Sequence, residues 1–148
     1  MPIYFCIREI TSAGTLPLRH ALLRPHLTPA PCVYPGDTDA TTIHLGGFVG
    51  ESLCGIVTLY REALPDRPGV GCRFRALAIV EALRGQGHGL ALLEAVEQLA
   101  REAGADYLWA NARVPVLDFY RKAGYAVGDE EFIVEGVGPH RIVVRNFS

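Results

Sequence analysis

The chain has 148 residues, 49% of them hydrophobic and 20% charged, with 14 basic against 16 acidic side chains and a formal net charge of −2. That size suits one domain spanning 1–148, able to bury roughly 68–70% of its unfolded surface without covalent staples. The charge balance argues against the basic stripe of a nucleic-acid binder. No apolar run approaches the ~20 residues of a membrane span, and the opening MPIYFCIREI lacks the basic and apolar regions of a secretory signal.

Ile3 to Ile10 is rich in β-branched and aromatic residues and reads as a strand. Thr11-Ser12 can start a helix that carries apolar residues at helical spacing from Leu16 to Leu23. Pro25, Pro29, Pro31 and Pro35 then impose a long loop, functional or mobile at that length. Thr42–Val49 and Ser52–Tyr60 are strands joined by Gly50-Glu51, a hairpin turn. Residues 61–71 are turn-rich, and Cys72–Val80 is the next strand. From about Gly87 to Ala103 the spacing predicts a helix. Leu92, Leu93, Val96, Leu99, Ala100 and Ala103 share its apolar face, with Glu94, Glu97, Gln98, Arg101 and Glu102 opposite. Tyr107–Ala110 is a short strand, and Val114–Lys122 a second helix with Pro115 in its first turn. Tyr125–Val127, Glu131–Val134 and His140–Phe147 complete the strands. The order gives a mixed α/β (α+β) sheet with helices on it. Cys6, Cys32, Cys54 and Cys72 form no CxxC pair, so reduced, mostly buried thiols in a cytoplasmic protein are expected, with no metal site.

Arg84-Gly85-Gln86-Gly87-His88-Gly89 lies between a strand and the longest helix. Glycines at every second position strip side chains from amides that the helix itself leaves unpaired. Those amides carry the positive end of the helix dipole, which makes an anion site a phosphate can approach closely. Arg84 adds a charged fork suited to phosphate. A Walker loop is excluded because no Lys-Ser or Lys-Thr follows. The dinucleotide fingerprint is excluded because the third glycine comes one residue early and Asp106 opens its strand instead of ending it.

With the strand Leu77-Ala78-Ile79-Val80 before it and an amphipathic helix after it, this loop resembles the acyl-CoA signature of the GNAT acetyltransferase superfamily. A second block is similar too: Asn111-Ala112-Arg113 followed by Phe119-Tyr120-Arg121-Lys122-Ala123-Gly124-Tyr125. Leu18-Arg19-His20, Leu23-Arg24-Pro25, Pro35-Gly36-Asp37 and Gly136 to His140 resemble a subgroup of small bacterial members. The resemblance implies a mostly antiparallel sheet of six to seven strands, splayed in the middle and flanked by helices.

It also implies acetyl-CoA as co-substrate and an acceptor that is a small-molecule or peptide amine. The cofactor's pyrophosphate would lie on Arg84, Gly85, Gln86, Gly87, His88, Gly89 and Leu90, with His88 contributing only its amide. Its pantetheine arm would pair with the backbone of Leu77, Ala78 and Ile79 and meet Asn111, Lys122 would meet the adenosine phosphate, and Phe119 would also contact the cofactor. The amine would attack the thioester directly, with the thioester carbonyl held by a strand N–H. Tyr120 occupies the position of the acid that protonates the departing thiolate; the alternative is a packed aromatic. Glu62, His44 and His140 are base candidates by type, His140 foremost, and a water chain could replace them. Arg73 and Arg75 lie on the face that lines the family's acceptor pocket, so either an acidic acceptor or a solvated, salt-bridged face follows. Related folds often form homodimers. A non-catalytic acyl-CoA-binding or sensing module is the competing reading, because fold does not dictate activity.

Overall fold

A computed structural model describes residues 4–147. Eight strands form one sheet: β1 Phe5–Ile10, β2 Ile43–Val49, β3 Ser52–Tyr60, β4 Gly71–Ile79, β5 Tyr107–Arg113, β6 Ala126–Val127, β7 Phe132–Val134 and β8 Gly138–Asn146. The order across the sheet is β1-β2-β3-β4-β5-β8-β6, with the three-residue β7 pairing β8 beside β6. That path holds seven strands, within the six to seven the resemblance implies, and β7, in the Glu131–Val134 run read as a strand in chain order, makes eight. Ile3, where the sequence reading begins the first strand, lies outside the described residues.

Every pairing is antiparallel except β4 with β5. A parallel pair needs a crossover, and helix α2, His88–Glu102, supplies it. Its stripe of Leu92, Leu93, Val96 and Ala100 is fully buried against β3 and β4. Close approach is allowed at Gly55, where a Cβ would come within 2.6 Å of Ile79 and 3.0 Å of Leu92. Glu97 departs from the expected polar face. It is buried, and its carboxylate accepts from the Tyr125 hydroxyl at 2.7 Å and from Arg145 at 2.9 Å. A buried charge needs such partners. Helix α3, Leu117–Lys122, follows a 3-10 turn at Val114–Val116 and packs on the same side of the sheet.

The other side is closed by helix α1, Ser12–Leu18, capped by Thr11, whose hydroxyl accepts from the Gly14 amide at 3.1 Å. The chain then widens into a π-helical turn, Arg19–Leu23. Arg19 is fully buried. Its guanidinium donates to both carboxylate oxygens of Asp37 at 2.6 and 3.1 Å, to the Cys32 carbonyl at 2.9 Å, and to Thr58 at 2.9 Å. Tyr60 donates to Asp37 at 2.5 Å. This ionic core pins the proline-rich loop, which is therefore an anchored segment with its own 3-10 turn at Ala30–Cys32. All four cysteines are free; Cys32, Cys54 and Cys72 are buried and Cys6 is exposed.

Candidate active site

The parallel pair β4–β5 is short. Gly71, Cys72 and Arg73 pair with Tyr107, Leu108 and Trp109, and beyond Arg73 the two strands part. A bulge makes β4 turn away: opposite Val57 the register slips, and Ala76 takes a left-handed φ of +59°. A non-glycine residue there is strained, and such strain collects at functional sites. On its β3 side the strand resumes pairing, Ala78 with Ile56 and Ile79 with Gly55. The opposite edge of Leu77–Ile79 has no strand against it and borders a cleft of about 890 Å³.

At one end of the cleft lies the glycine loop. Gly85 and Gly87 have φ of +77° and +84°, and a Cβ on either would meet nothing within 4 Å. The glycines thus serve the left-handed backbone and leave open space over the loop. Gly87 is the N-cap of α2 and supplies no capping side chain. The amides of Gly85, Gln86, Gly87, His88, Gly89 and Leu90 donate to no described group; the first bonded amide is that of Ala91, to Gly87. Six bare N–H groups at a helix start form an anion cradle. Arg84 folds back so that its Nε donates to the Ile79 carbonyl at 3.1 Å, leaving its terminal nitrogens for an anion. The His88 ring stacks on Phe5 at 4.3 Å between centroids. Lys122 and Phe119 also line the cleft; Gln86 is exposed and does not.

Tyr120, on α3, is buried among Phe119, Phe74 and Tyr125, with ring centroids 5.1, 5.8 and 5.8 Å away. It lines the cleft, and its hydroxyl bonds no described residue. Burial pushes its phenol above the ordinary value of 10.0. The match with a thiolate near pKa ~8.5 is therefore poorer than free phenol chemistry implies. The hydroxyl stays protonated and is better suited to hydrogen-bonding a forming thiolate than to full proton transfer. Asn111 faces the same cleft from β5, which runs three residues further than the sequence pattern implies because Asn111, Ala112 and Arg113 all pair with β8.

The far end is polar. His140, opposite Arg113 across β5 and β8, is buried and lines the cleft. Its Nδ1 lies 2.8 Å from the Gly138 carbonyl. A carbonyl only accepts, so Nδ1 holds the proton and the neutral ring has its lone pair on Nε2. The other two base candidates lie elsewhere. His44 is built into the ionic core, with Nε2 2.8 Å from the Asp37 carbonyl and Nδ1 2.8 Å from the Thr58 hydroxyl. Glu62 does not line the cleft and pairs with Arg73 at 3.2 Å. Two features escaped the sequence reading. One is Tyr34, buried at the cleft wall under Arg24 and Arg75. The other is Arg113, whose N–H reaches the Leu23 carbonyl at 3.1 Å and ties β5 to the π-helical turn.

The family model for the acetyltransferase (GNAT) domain matches residues 44–142. The chain belongs to the GNAT acetyltransferase family. It is 30% identical over 140 residues to YitI of Bacillus subtilis (strain 168), named an uncharacterized N-acetyltransferase, with 94% of each chain covered. Among solved structures it resembles Escherichia coli ElaA at a TM-score of 0.78 and 18% identity, covering 97% of this chain and 100% of that one. A GNAT family acetyltransferase from Elizabethkingia anophelis, solved with acetyl-CoA bound, matches at a TM-score of 0.70 and 18% identity, over 97% and 98% of the two chains. Both share the open, mostly antiparallel sheet with flanking helices. Membership in the GNAT family makes the chain an acyltransferase.

Proposed function

We propose that the enzyme moves the acetyl group of acetyl-CoA directly to a primary amine, without an acyl-enzyme. The cleft itself carries this reading, since one channel joins five residues of the unbonded amide loop, an unpaired strand edge and a hydroxyl without a described partner. The amides from Gly85 to Leu90 hold the pyrophosphate, with Arg84 beside them, while Lys122 meets the adenosine end. The Leu77–Ile79 edge pairs with the pantetheine arm, and Asn111 and Phe119 bound it from the other wall. An N–H of that edge donates to the thioester oxygen as negative charge gathers there. Holding thioester and amine together supplies the proximity term. Tyr120 donates a hydrogen bond to the leaving sulfur and stabilises the forming thiolate, an electrostatic contribution worth about 10²-fold. His140 Nε2, directly or through water, takes the amine proton.

The test follows free thiol while the protein is mixed with acetyl-CoA and a panel of amines. Acceptor-dependent thiol release is the expected result. Tight acetyl-CoA binding with no release on any amine would overturn the catalytic reading.

A further inference from the structure

The cleft is strongly one-sided in charge, although the chain as a whole is slightly acidic, with a net charge of −2. Arg24, Arg73, Arg75, Arg84, Arg113 and Lys122 line it, and none of its described lining residues is an aspartate or glutamate. Arg84 and Lys122 stand at the glycine-loop end and answer the phosphates. The other four do not. Arg75 precedes Ile79 by four residues of strand, ~13 Å of extended chain, and Arg73 lies further still. They sit before the Ala76 bulge, on the face closed by α1 and the π-helical turn.

Tyr34 separates arginines that have a counter-ion from arginines that have none. Three guanidiniums lie over its ring, those of Arg19, Arg75 and Arg24, at 4.3, 3.9 and 5.3 Å. Arg19 is sealed from solvent and has Asp37 as its partner. Arg75 and Arg24 line the cleft and have no carboxylate partner among the described residues. Arg73 has one nitrogen on Glu62, but its Nε is buried without a partner. Arg113 spends one N–H on the Leu23 carbonyl. Desolvation, then Arg73 and Arg24, push the Arg75 guanidinium below its ordinary value, so a counter-charge is favoured at this point. Guanidinium forks held over an aromatic ring suit a planar, bidentate anion.

On the reading of this cleft as an acetyltransferase site, we propose that the amine acceptor bears a carboxylate, as an amino acid does. That carboxylate is held by Arg75 and Arg24 over Tyr34, with Arg113 on the opposite wall. His140, next to Arg113 in the sheet, then faces the amine. A polyamine would meet like charge here and is excluded.

The experiment compares matched acceptors with acetyl-CoA: glycine, alanine, phenylalanine and glutamate, each against its α-carboxamide, with spermidine as the cationic control. The carboxylates are expected to exceed the carboxamides by at least ~10-fold in kcat/KM, the scale of a charge-assisted bond. Arg75→Gln should raise KM for the acid by about the same ~10-fold and erase the preference, leaving KM for acetyl-CoA within about twofold, because the pair acts on one substrate only. Arg24→Gln, whose guanidinium lies farther from the Tyr34 ring, at 5.3 against 3.9 Å, should do the same to a smaller degree. Equal use of acids and amides, or preference for spermidine, overturns this inference and leaves acetyl transfer standing. Absence of thiol release from every acceptor, with acetyl-CoA bound, overturns acetyl transfer. Calorimetric titration of the CoA complex with N-acetylalanine and N-acetylalaninamide then decides the inference by itself. Binding of the acid alone, lost in Arg75→Gln, upholds it, and no difference between the two sinks it.

Discussion

Tyr60 and Tyr120 are both buried phenols, and burial pushes both above the ordinary value of 10.0. They stand on opposite faces of the sheet and do different things. Tyr60, under α1, donates to Asp37 at 2.5 Å and belongs to a set of bonds with Arg19 and Thr58. Tyr120, on α3, is ringed by Phe74, Phe119 and Tyr125 and its hydroxyl bonds no described residue. One face is held by polar groups bonded to one another, although the buried Arg19 Nε has no described partner. The other is held mainly by apolar packing, with the buried Glu97 bonded to Tyr125 and Arg145, and leaves the Tyr120 hydroxyl without a described partner where the cleft begins. The Tyr120 hydroxyl borders the cleft with no described partner and is open to a ligand, whereas the Tyr60 hydroxyl is used up by the fold.

The largest effect follows from opening the ionic core. Asp37→Ala leaves Arg19 buried without its counter-ion and is expected to cost about 3–5 kcal/mol, measured by urea unfolding. Leu92→Ala, on the apolar face, costs a similar ~2–5 kcal/mol through its cavity, but pH tells them apart. Burial alone would raise the Asp37 carboxyl; bonds from Arg19, Tyr60 and the Tyr34 amide outweigh it and hold it below its ordinary 3.8. A lowered carboxyl contributes stability above its unfolded value and loses it as pH falls through the folded value. Wild type and Leu92→Ala should therefore lose stability below about pH 4, while Asp37→Ala follows a flatter acid limb. Equal acid limbs would show that the ionic core contributes no linkage.

Next in size is the contrast between the tyrosines themselves. Tyr120→Phe should lower kcat about 10²-fold while moving unfolding stability by less than about 0.5 kcal/mol, as no hydrogen bond is lost. Tyr60→Phe should do the reverse. It removes a donor from a buried carboxylate at a cost of about 1–3 kcal/mol, with kcat unchanged once folded. Because burial keeps Tyr120 protonated, kcat should not fall as pH passes 10, where a free phenol ionises. An alkaline limb centred at that pH would mean that the phenol is not enclosed as described.

The two faces also differed in how far the sequence disclosed them. Helix α2 and the glycine loop were readable because their signals are local: a 3.6-residue stripe and alternating glycines before it. Tyr120 was readable through the block that follows Asn111. The ionic core was not, because Arg19, Asp37, His44, Thr58 and Tyr60 meet only through tertiary folding, and each alone resembles an ordinary polar residue. His44 looked like a base for the same reason, until its two nitrogens were found bonded to Asp37 and Thr58. Glu97 fitted the solvent stripe of its helix; what buries it are Tyr125 and Arg145, 28 and 48 positions away. Ala76 carries no mark of a left-handed φ, since alanine gives no such preference. The bulge it forms, which opens the cleft, can be seen only in three dimensions.

The smallest effect separates cofactor binding from both tyrosines. Gly87→Ala places a methyl where no atom lies within 4 Å, so packing exacts nothing. The cost comes from holding alanine at a φ of +84°, about 1 kcal/mol. The same methyl enters the space above the bare amides, so KM for acetyl-CoA should rise about tenfold while kcat at saturation stays within about twofold. Tyr120→Phe should give the opposite pattern, with kcat lowered and KM held. If Gly87→Ala lowers kcat as far as Tyr120→Phe does, the loop and the tyrosine do not divide binding from chemistry, and the unbonded hydroxyl loses its separate role.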